Sequence, residues 1–491
     1  MKKKKKIVLL LTIVSLVLGM CACKSEKTSS SKLEDDESKP YEIMWYYVGN
    51  SSNKDQKMVQ DKVNEYLKKK INATVVMNPL DWGPYDKKMQ NVMTSGEKYD
   101  LRWINGSSYQ TAVFKGAFIP IDDLMTKYAP KTKALLGEDF INGARIGGKL
   151  YGVQANKDNA RWYSVYYRKD IAQKYNLDLS NVKSLEDLYP IMDIVKEKEA
   201  GMFCYGIGGG RSPWAKSGYD DFGGNGLVGI VPGNDKVVNL YSTDLFKESA
   251  YGARELYNRG YLNRDAAVND NASDLIRSGK VFCYISTDRP GQLEEFNANQ
   301  GNKWASVRLT DTAKGYTTEA QASMMAIPVS CKNPVRVMKF LELLNTDEYL
   351  NNLINFGIEG VHYKKVSDKR ISLIENSGYN LQGRQYMMGN TMINYLIDGE
   401  SDTKHEEIEK FNKEAEYSEA FGFSPDLEKV KIQVSSCNNV KKEYIKVIEY
   451  GMVDIDENIA KFNEKLKQAG IDEVVKEVQK QYDEWKEKNN K

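Results

Sequence analysis

Apolar and polar positions change in blocks along the chain, and from Tyr41 onward the blocks read as alternating strands and helices. Tyr41–Val48 (YEIMWYYV) predicts an aromatic-rich strand. Val59, Val63, Tyr66, Leu67 and Ile71 then recur at helical spacing. Residues 73–77 (ATVVM) predict a second strand, 85–94 a helix and 99–104 (YDLRWI) a third strand. Strands separated by helices of this length predict parallel pairing through crossovers. In such open sheets ligands bind beyond the carboxyl ends of the strands. The loops expected there carry Asn50 and Ser51, Asp81 and Trp82, and Asn105 with Gly106.

A second α/β region follows. Residues 149–153 (KLYGV) and 162–167 (WYSVYY) predict strands, and Arg168 opens a helix. Ser184 with Asp187 reads as a capping box for a helix reaching about Glu199. Strands are expected at 203–207 and 282–286, with helices around 247–258 and 272–277 between them, and again at 319–328. Val337, Met338, Leu341 and Leu344 mark the apolar face of the next helix. The C-terminal part is helical: Asp454 with Glu457 caps one helix, and Val474, Val475, Val478, Tyr482 and Trp485 line one face of the last. No fixed-period repeat is present, which argues against a solenoid.

The N-terminus differs from all of this. Lys2 to Lys6 precede an apolar run from Ile7 to Met20 and then Cys21, Ala22 and Cys23. The run falls short of the roughly 20 residues of a permanent membrane helix and has the length and flanks of a secretory signal. A cysteine after the small residue Ala22 resembles a bacterial lipobox, with residues 1–22 as signal peptide and Cys23 as the lipidated residue. Residues 23–40 (CKSEKTSSSKLEDDESKP) are too polar to offset their ordering entropy. They read as a leash with a root-mean-square reach of about 20–25 Å.

Composition narrows the functional classes. With 491 residues the chain can hold two lobes of ordinary size. The 70 Lys plus Arg against 68 Asp plus Glu give a formal charge of +2, without the basic excess of a nucleic-acid binder. Only His362 and His405 could serve a zinc site or a Ser-His-Asp triad, so neither is expected, and no cofactor is implied. Cys204, Cys283, Cys331 and Cys437 lack C-x-x-C spacing and leave both disulfides and free thiols open. The 31 tyrosines, against 14 phenylalanines, suit surfaces that stack on a ligand while keeping a polar edge.

Two motifs dissolve on inspection. Residues 143–150 (GARIGGKL) have phosphate-loop spacing but end in Leu and precede a strand, so Gly147 and Gly148 make a tight turn. The glycine run 206–210 follows a strand without the helix of a dinucleotide fingerprint and reads as a loop. Acid pairs such as Asp220 and Asp221 could serve glycoside hydrolysis, but with this many acids they prove nothing. The aromatics are more telling. Trp45, Trp82, Trp162 and Trp214 lie near Asn105, Arg161, Asp221 and Arg289 in the predicted layout, a set able to stack on sugar rings and bond their hydroxyls.

The order of lipobox, βαβ lobe, GKLYGV and YYRKDIAQKY resembles bacterial extracellular solute-binding lipoproteins of carbohydrate ABC importers. The run NFGIEGVHY at 355–363, AFGF at 420–423 and KQAGIDEVVKEVQKQYDEW at 467–485 are similar to the LplA-like or LipO-type branch. The resemblance implies a two-lobed α/β periplasmic-binding-protein-like fold with a ligand in the interlobe cleft and strands crossing near 152–156, 319–326 and 356–360. Mapped on this chain, residues 41–152 and 319–355 form the first lobe, and 153–318 and 356–491 the second; Glu319 and Glu359 join the expected site by loop position and chemistry, since the family's ligand contacts vary. The resemblance implies a non-catalytic, lipid-anchored monomer on the extracytoplasmic face of the cell membrane that closes on a carbohydrate and delivers it to the transmembrane subunits of an ABC permease. An exported polysaccharide-degrading enzyme and a peptide-binding importer subunit are the alternatives.

Overall fold

The first strand, β1 (Tyr41–Val48), is buried on both faces along its second half, which is why its sequence is continuously apolar instead of alternating. A computed structural model describes residues 35–208, 218–266, 272–298, 303–381 and 383–490. Along the chain follow β2 (Ala73–Leu80), β3 (Leu101–Ile104), β4 (Gly152–Gln154), β5 (Trp162–Arg168), β6 (Phe203–Tyr205), β7 (Val228–Val231) and β8 (Asn234–Asn239). Then come β9 (Val281–Asp288), β10 (Trp304–Arg308), β11 (Lys314–Gly315) and β12 (Met324–Ala326).

Two sheets organise two α/β lobes. The first has the order β2-β1-β3-β12-β4, with β1 parallel to β2 and β3, and β12 antiparallel to both neighbours. The second has the order β10-β5-β9-β6; only β6 and β9 run parallel. The helix Gln56–Ile71 buries Val59, Val63, Leu67 and Ile71, one per turn, and ends at Asn72 in the left-handed conformation (φ 45°). The C-terminal helices Lys431–Glu449, Ile455–Gln468 and Ile471–Asn489 share one core with Phe222, Val228 and Phe246 through Phe462, Leu466, Val478 and Tyr482.

Several expectations change. Residues 319–328 are not one strand. Thr317–Ala320 is a short helix in which the Glu319 carboxylate accepts the Tyr316 N–H, and only Met324–Ala326 extends. The chain does not cross between lobes at 356–360. Gly357 and Gly360 (φ 80° and 79°) turn it back, Ile358 N–H donates to His362 Nδ1 at 2.8 Å, and the other ring nitrogen lies 3.3 Å from Asp55. Tyr379, Leu381, Met387 and Met388, expected on the second lobe, are buried in the first core. The chain leaves it only before the Lys404–Glu414 helix, whose Lys404 pairs with Glu295 at 2.8 Å. In between, β13 (Tyr363–Ser367), β14 (Arg370–Leu373) and β15 (Leu396–Ile397) form a small sheet that periodicity did not signal.

The expected leash ends earlier than Pro40, because Asn72 donates to the Glu37 carbonyl (2.8 Å) and the buried Arg336 to that of Lys39 (3.3 Å). All four cysteines outside the leader are free thiols. Gly147 and Gly148 form the expected turn, bridged from Ile146 to Lys149. No described helix is long and apolar enough to cross a membrane. The lipobox with Cys23, and Trp214, lie outside the described residues.

Candidate functional site

Two links run between the sheets, from β4 to β5 and from β10 through β11 to β12, and they pair with each other. Arg161 N–H donates to the Lys314 carbonyl (3.0 Å) and Lys314 N–H returns the bond (2.8 Å). The pairing sets Arg161 beside Glu319, Nη1 to Oε1 at 3.0 Å, with the guanidinium over the Tyr316 ring at 4.9 Å. Burial pushes the Glu319 carboxyl up, opposed by Arg161 and Lys157; burial would pull Arg161 down, but the Glu319 carboxylate holds it charged.

Next to this pair lies the loop entering β7. Asp220 is buried and accepts the Phe222 N–H (2.9 Å), and burial pushes its carboxyl up to about 6. Asp221 accepts the N–H groups of Gly224 (2.9 Å) and Gly226 (3.1 Å). Phe222 sits at φ 59°, rare for a bulky residue. Its carbonyl accepts from Gln110 of the first lobe at 2.7 Å. Gln110 also bonds Gln321 (2.9 Å), and Gln321 bonds Ser424 (2.9 Å). Gly223 sits at φ 94°, a backbone conformation that favours glycine, and a Cβ there would also stand 2.1 Å from Gln110 Nε2. Lys441 and Glu449, on one C-terminal helix, complete the cluster. Lys441 donates to the Gly226 carbonyl (2.8 Å), and burial lifts Glu449 to about 7 against the pull of Lys441.

On the second lobe a cavity of about 720 Å³ opens between the edges of β5, β9 and β10 and the Lys404–Glu414 helix. Trp162, Arg289, Arg308 and Phe411 line it. Phe411 meets the Trp162 ring edge-on (4.7 Å), and the exposed Arg308 guanidinium lies over that ring at 3.9 Å. Arg289 is held by Asp158 (3.2 Å) and Glu295 (2.7 Å). On the first lobe Trp82 is 47% exposed and packs edge-on against Trp103 (5.3 Å); it opens the Trp82–Ser95 helix instead of lying in a loop. Asn105 precedes the next helix with its side chain making no cap.

The structure thus brings Arg161, Glu319 and Asp221 to the crossing, and Trp162 and Arg289 to the cavity. It removes Trp45, which is fully buried in mid-strand against Tyr47 and Phe340, where a ligand cannot reach it. Glu359 is exposed in the turn bridged to Tyr363, on the first lobe. Tyr316, Arg308, Lys441 and Glu449 escaped the sequence reading, and the tyrosine excess was a trace of Tyr316 alone.

A family model for bacterial extracellular solute-binding proteins matches residues 50–350. The chain belongs to that family. A second model, a domain of unknown function (DUF3502), matches residues 419–487. The chain is 29% identical over 484 residues to a carbohydrate ABC transporter substrate-binding protein of Streptococcus pneumoniae, covering 96% of each. It is 24% identical over 420 residues to lipoprotein LipO of Bacillus subtilis, covering 79% and 80%. The solved N-glycan transport solute binding protein NgtS of S. pneumoniae aligns with a TM-score of 0.84 at 28% identity, covering 92% of this chain and all of that one. Crystals of that protein have been solved with Man1GlcNAc and Man5GlcNAc. The family is extracytoplasmic and its members bind solutes, so the chain is a binding protein and not an enzyme.

Proposed function

We propose that this protein captures an oligosaccharide in the cleft between its lobes and delivers it to the membrane subunits of an ABC importer. The observation that supports the reading is the two-lobed fold of a solute-binding family with tryptophans on both lobes, Trp162 in the wall of the second-lobe cavity and the half-exposed Trp82 on the first lobe. The glycan complexes of the pneumococcal neighbour support the same ligand class. Ligand docks on one lobe, and its bonding to the other lobe drives closure. Arg161, Trp162, Asp221, Arg289 and Glu319 contribute from the crossing and second lobe, and Trp82 and Asn105 from the first.

A thermal-shift screen over oligosaccharides and peptides tests this reading. Sugar at a hundredfold above its Kd adds about 2.7 kcal/mol to stability, and small-angle scattering should show a smaller radius of gyration with the sugar recovered intact. A response to peptides alone would sink it. The protein is further proposed to be a monomer tethered by lipid at Cys23. Mass spectrometry of membrane-extracted protein should find an acylated N-terminal peptide beginning there, and a free N-terminus at Lys24 in a soluble fraction would count against the anchor.

A further inference from the structure

We infer that the region of unknown function at residues 419–487 sets the travel of the two lobes, with Phe421, Gly422 and Phe423 as the pin on which they turn. The inference rests on the lobe closure proposed above and not on the identity of the ligand. Phe421 and Phe423 stand two residues apart and enter different cores. Phe421 packs with the first-lobe core and lies against Gly143, where a Cβ would come within 2.4 Å of its ring. Phe423 meets Phe222 at 4.9 Å and Tyr482 at 5.1 Å in the core of the C-terminal helices. One helix, Asp244–Asn258, joins that core through Phe246 to the core of the second sheet through Ala253. Two successive turns separate the rings, the Phe421 N–H donating to the Ser418 carbonyl (2.9 Å) and the Phe423 N–H to that of Ala420 (2.8 Å). Gly422 between them sits at φ 91°, and a Cβ on it would stand 2.8 Å from the Asn142 carbonyl oxygen.

The pin lies beside the second link. β16 (Glu416–Tyr417) runs parallel to β11, and the buried Thr317 hydroxyl just beyond donates to the Ala420 carbonyl (3.1 Å) and accepts the Gly422 N–H (2.9 Å). When two packed bodies rotate, contacts near the axis survive and those far from it break, because interiors are too dense to shear freely. The motion is absorbed by changes of φ and ψ at a few residues. Gly422 has the backbone freedom for this, while the ring on either side keeps its grip on one body. Ser424, one residue beyond Phe423, accepts from Gln110 of the first lobe (3.2 Å) and from Gln321 (2.9 Å), a pair of bonds that limits opening. The lobes are thus tied by packing as well as by the chain passing between them, through a segment rooted in the C-terminal helices. Loosening this tie lowers the share of ligand-free molecules poised to close. Apparent affinity falls by that share, without the loss of any contact to the ligand.

Small-angle scattering, and calorimetry with Man5GlcNAc, test the inference on the full mature chain. Phe421→Leu loosens the first-lobe grip, and Gly422→Ala pushes on Asn142. Each should enlarge the radius of gyration of the ligand-free protein and weaken Man5GlcNAc binding at least about threefold. Phe340→Leu, a core loss of the same kind placed against Trp45, should lower the melting temperature without changing either quantity. Ser424→Ala removes the two glutamine bonds with little change of volume. It should act in the same direction as Phe421→Leu, and it decides the matter if Gly422→Ala fails to fold. An unchanged ligand-free radius in both Phe421→Leu and Ser424→Ala, or an equal rise in Phe340→Leu, overturns the pin and leaves sugar capture standing. An enlarged radius in those two variants, with no binding of Man5GlcNAc by the unaltered chain, upholds the pin and counts against the sugar reading.

Discussion

The crossing and the cavity use the same residue types to opposite ends. At the crossing, Arg161 and Glu319 are largely covered, with side chains 27% and 12% exposed, and each meets its counter-charge inside the fold. At the cavity, Arg308 is exposed and rests on Trp162, a contact worth about 0.5–1 kcal/mol at an exposed site. A buried pair whose bonds are all internal fixes geometry, because removing one member strands the other. A guanidinium lying on an open ring can be displaced at small cost by a sugar that stacks better. The crossing ties the two links together, and under the proposed function the cavity offers the open surface on which a sugar stacks.

Breaking the crossing should have the largest effect. Arg161→Ala leaves Glu319 buried beside Asp220 and should cost about 3 kcal/mol of stability in urea melts of the ligand-free protein. Glu319→Gln retains an acceptor for the Tyr316 N–H and should cost less; equal and small effects would show the pair to be dispensable. At the cavity the split reverses. Trp162→Ala should weaken sugar binding by about 1–3 kcal/mol, tenfold or more in Kd, with a smaller change in melting. Trp82→Ala should weaken it about tenfold while leaving melting almost unchanged, since nearly half of that side chain is already exposed. An early melt with normal binding would make either tryptophan a packing residue. Arg308→Ala tests the contrast from the other side: freeing the Trp162 face should tighten neutral-sugar binding by up to about fivefold, and a large loss of stability would place Arg308 with the crossing.

The smallest effect expected is on pH dependence. Burial raises the folded Glu449 carboxyl from 4.5 to about 7 and that of Asp220 from 3.8 to about 6. The folded state therefore binds protons more tightly, and stability falls as pH rises through these windows. The Glu295 carboxyl, lowered by Arg289 and Lys404 despite burial, has the opposite sign but acts below pH 4.5. Melts at about pH 6 and about pH 8 should differ by on the order of 1 kcal/mol, and Glu449→Gln should remove most of the difference. An unchanged slope in that variant would assign it to other groups.

What could be read from the sequence was local. Ser184 and Asp187 form the expected capping box, with Asp187 N–H donating to the serine hydroxyl (3.2 Å) and Ser184 N–H to the aspartate (2.9 Å). Asp454 caps its helix through the Glu457 N–H (2.9 Å). The continuous apolar run of β1 and the four-residue spacing after it suffice for the first strand and helix of the first lobe, but not for Tyr379 to Met388, which pack in its core from far along the chain. The site was harder because its neighbours come from distant segments. Arg161 could be picked from its place before a strand, but Tyr316 and Glu319 meet it only because β11 leads the second link back alongside the first. Trp45 misled for the same reason: its burial depends on Phe340, far along the chain, which no periodicity around β1 reveals. β7 and β8 form a hairpin too short and too polar to announce itself.

The bonds joining Gln110, Gln321 and Ser424, and the core shared by Phe222 and Tyr482, bear on how such chains can diverge by recombination. The segment after Ala420 is not a cassette that relatives can trade freely. A chimaera joined there would bring a foreign serine or its absence to two glutamines rooted elsewhere, and foreign helices to a half-built core. Exchange should succeed only when the loop around Phe222 travels with the tail, so the two stretches, nearly 200 residues apart, form a single unit of inheritance.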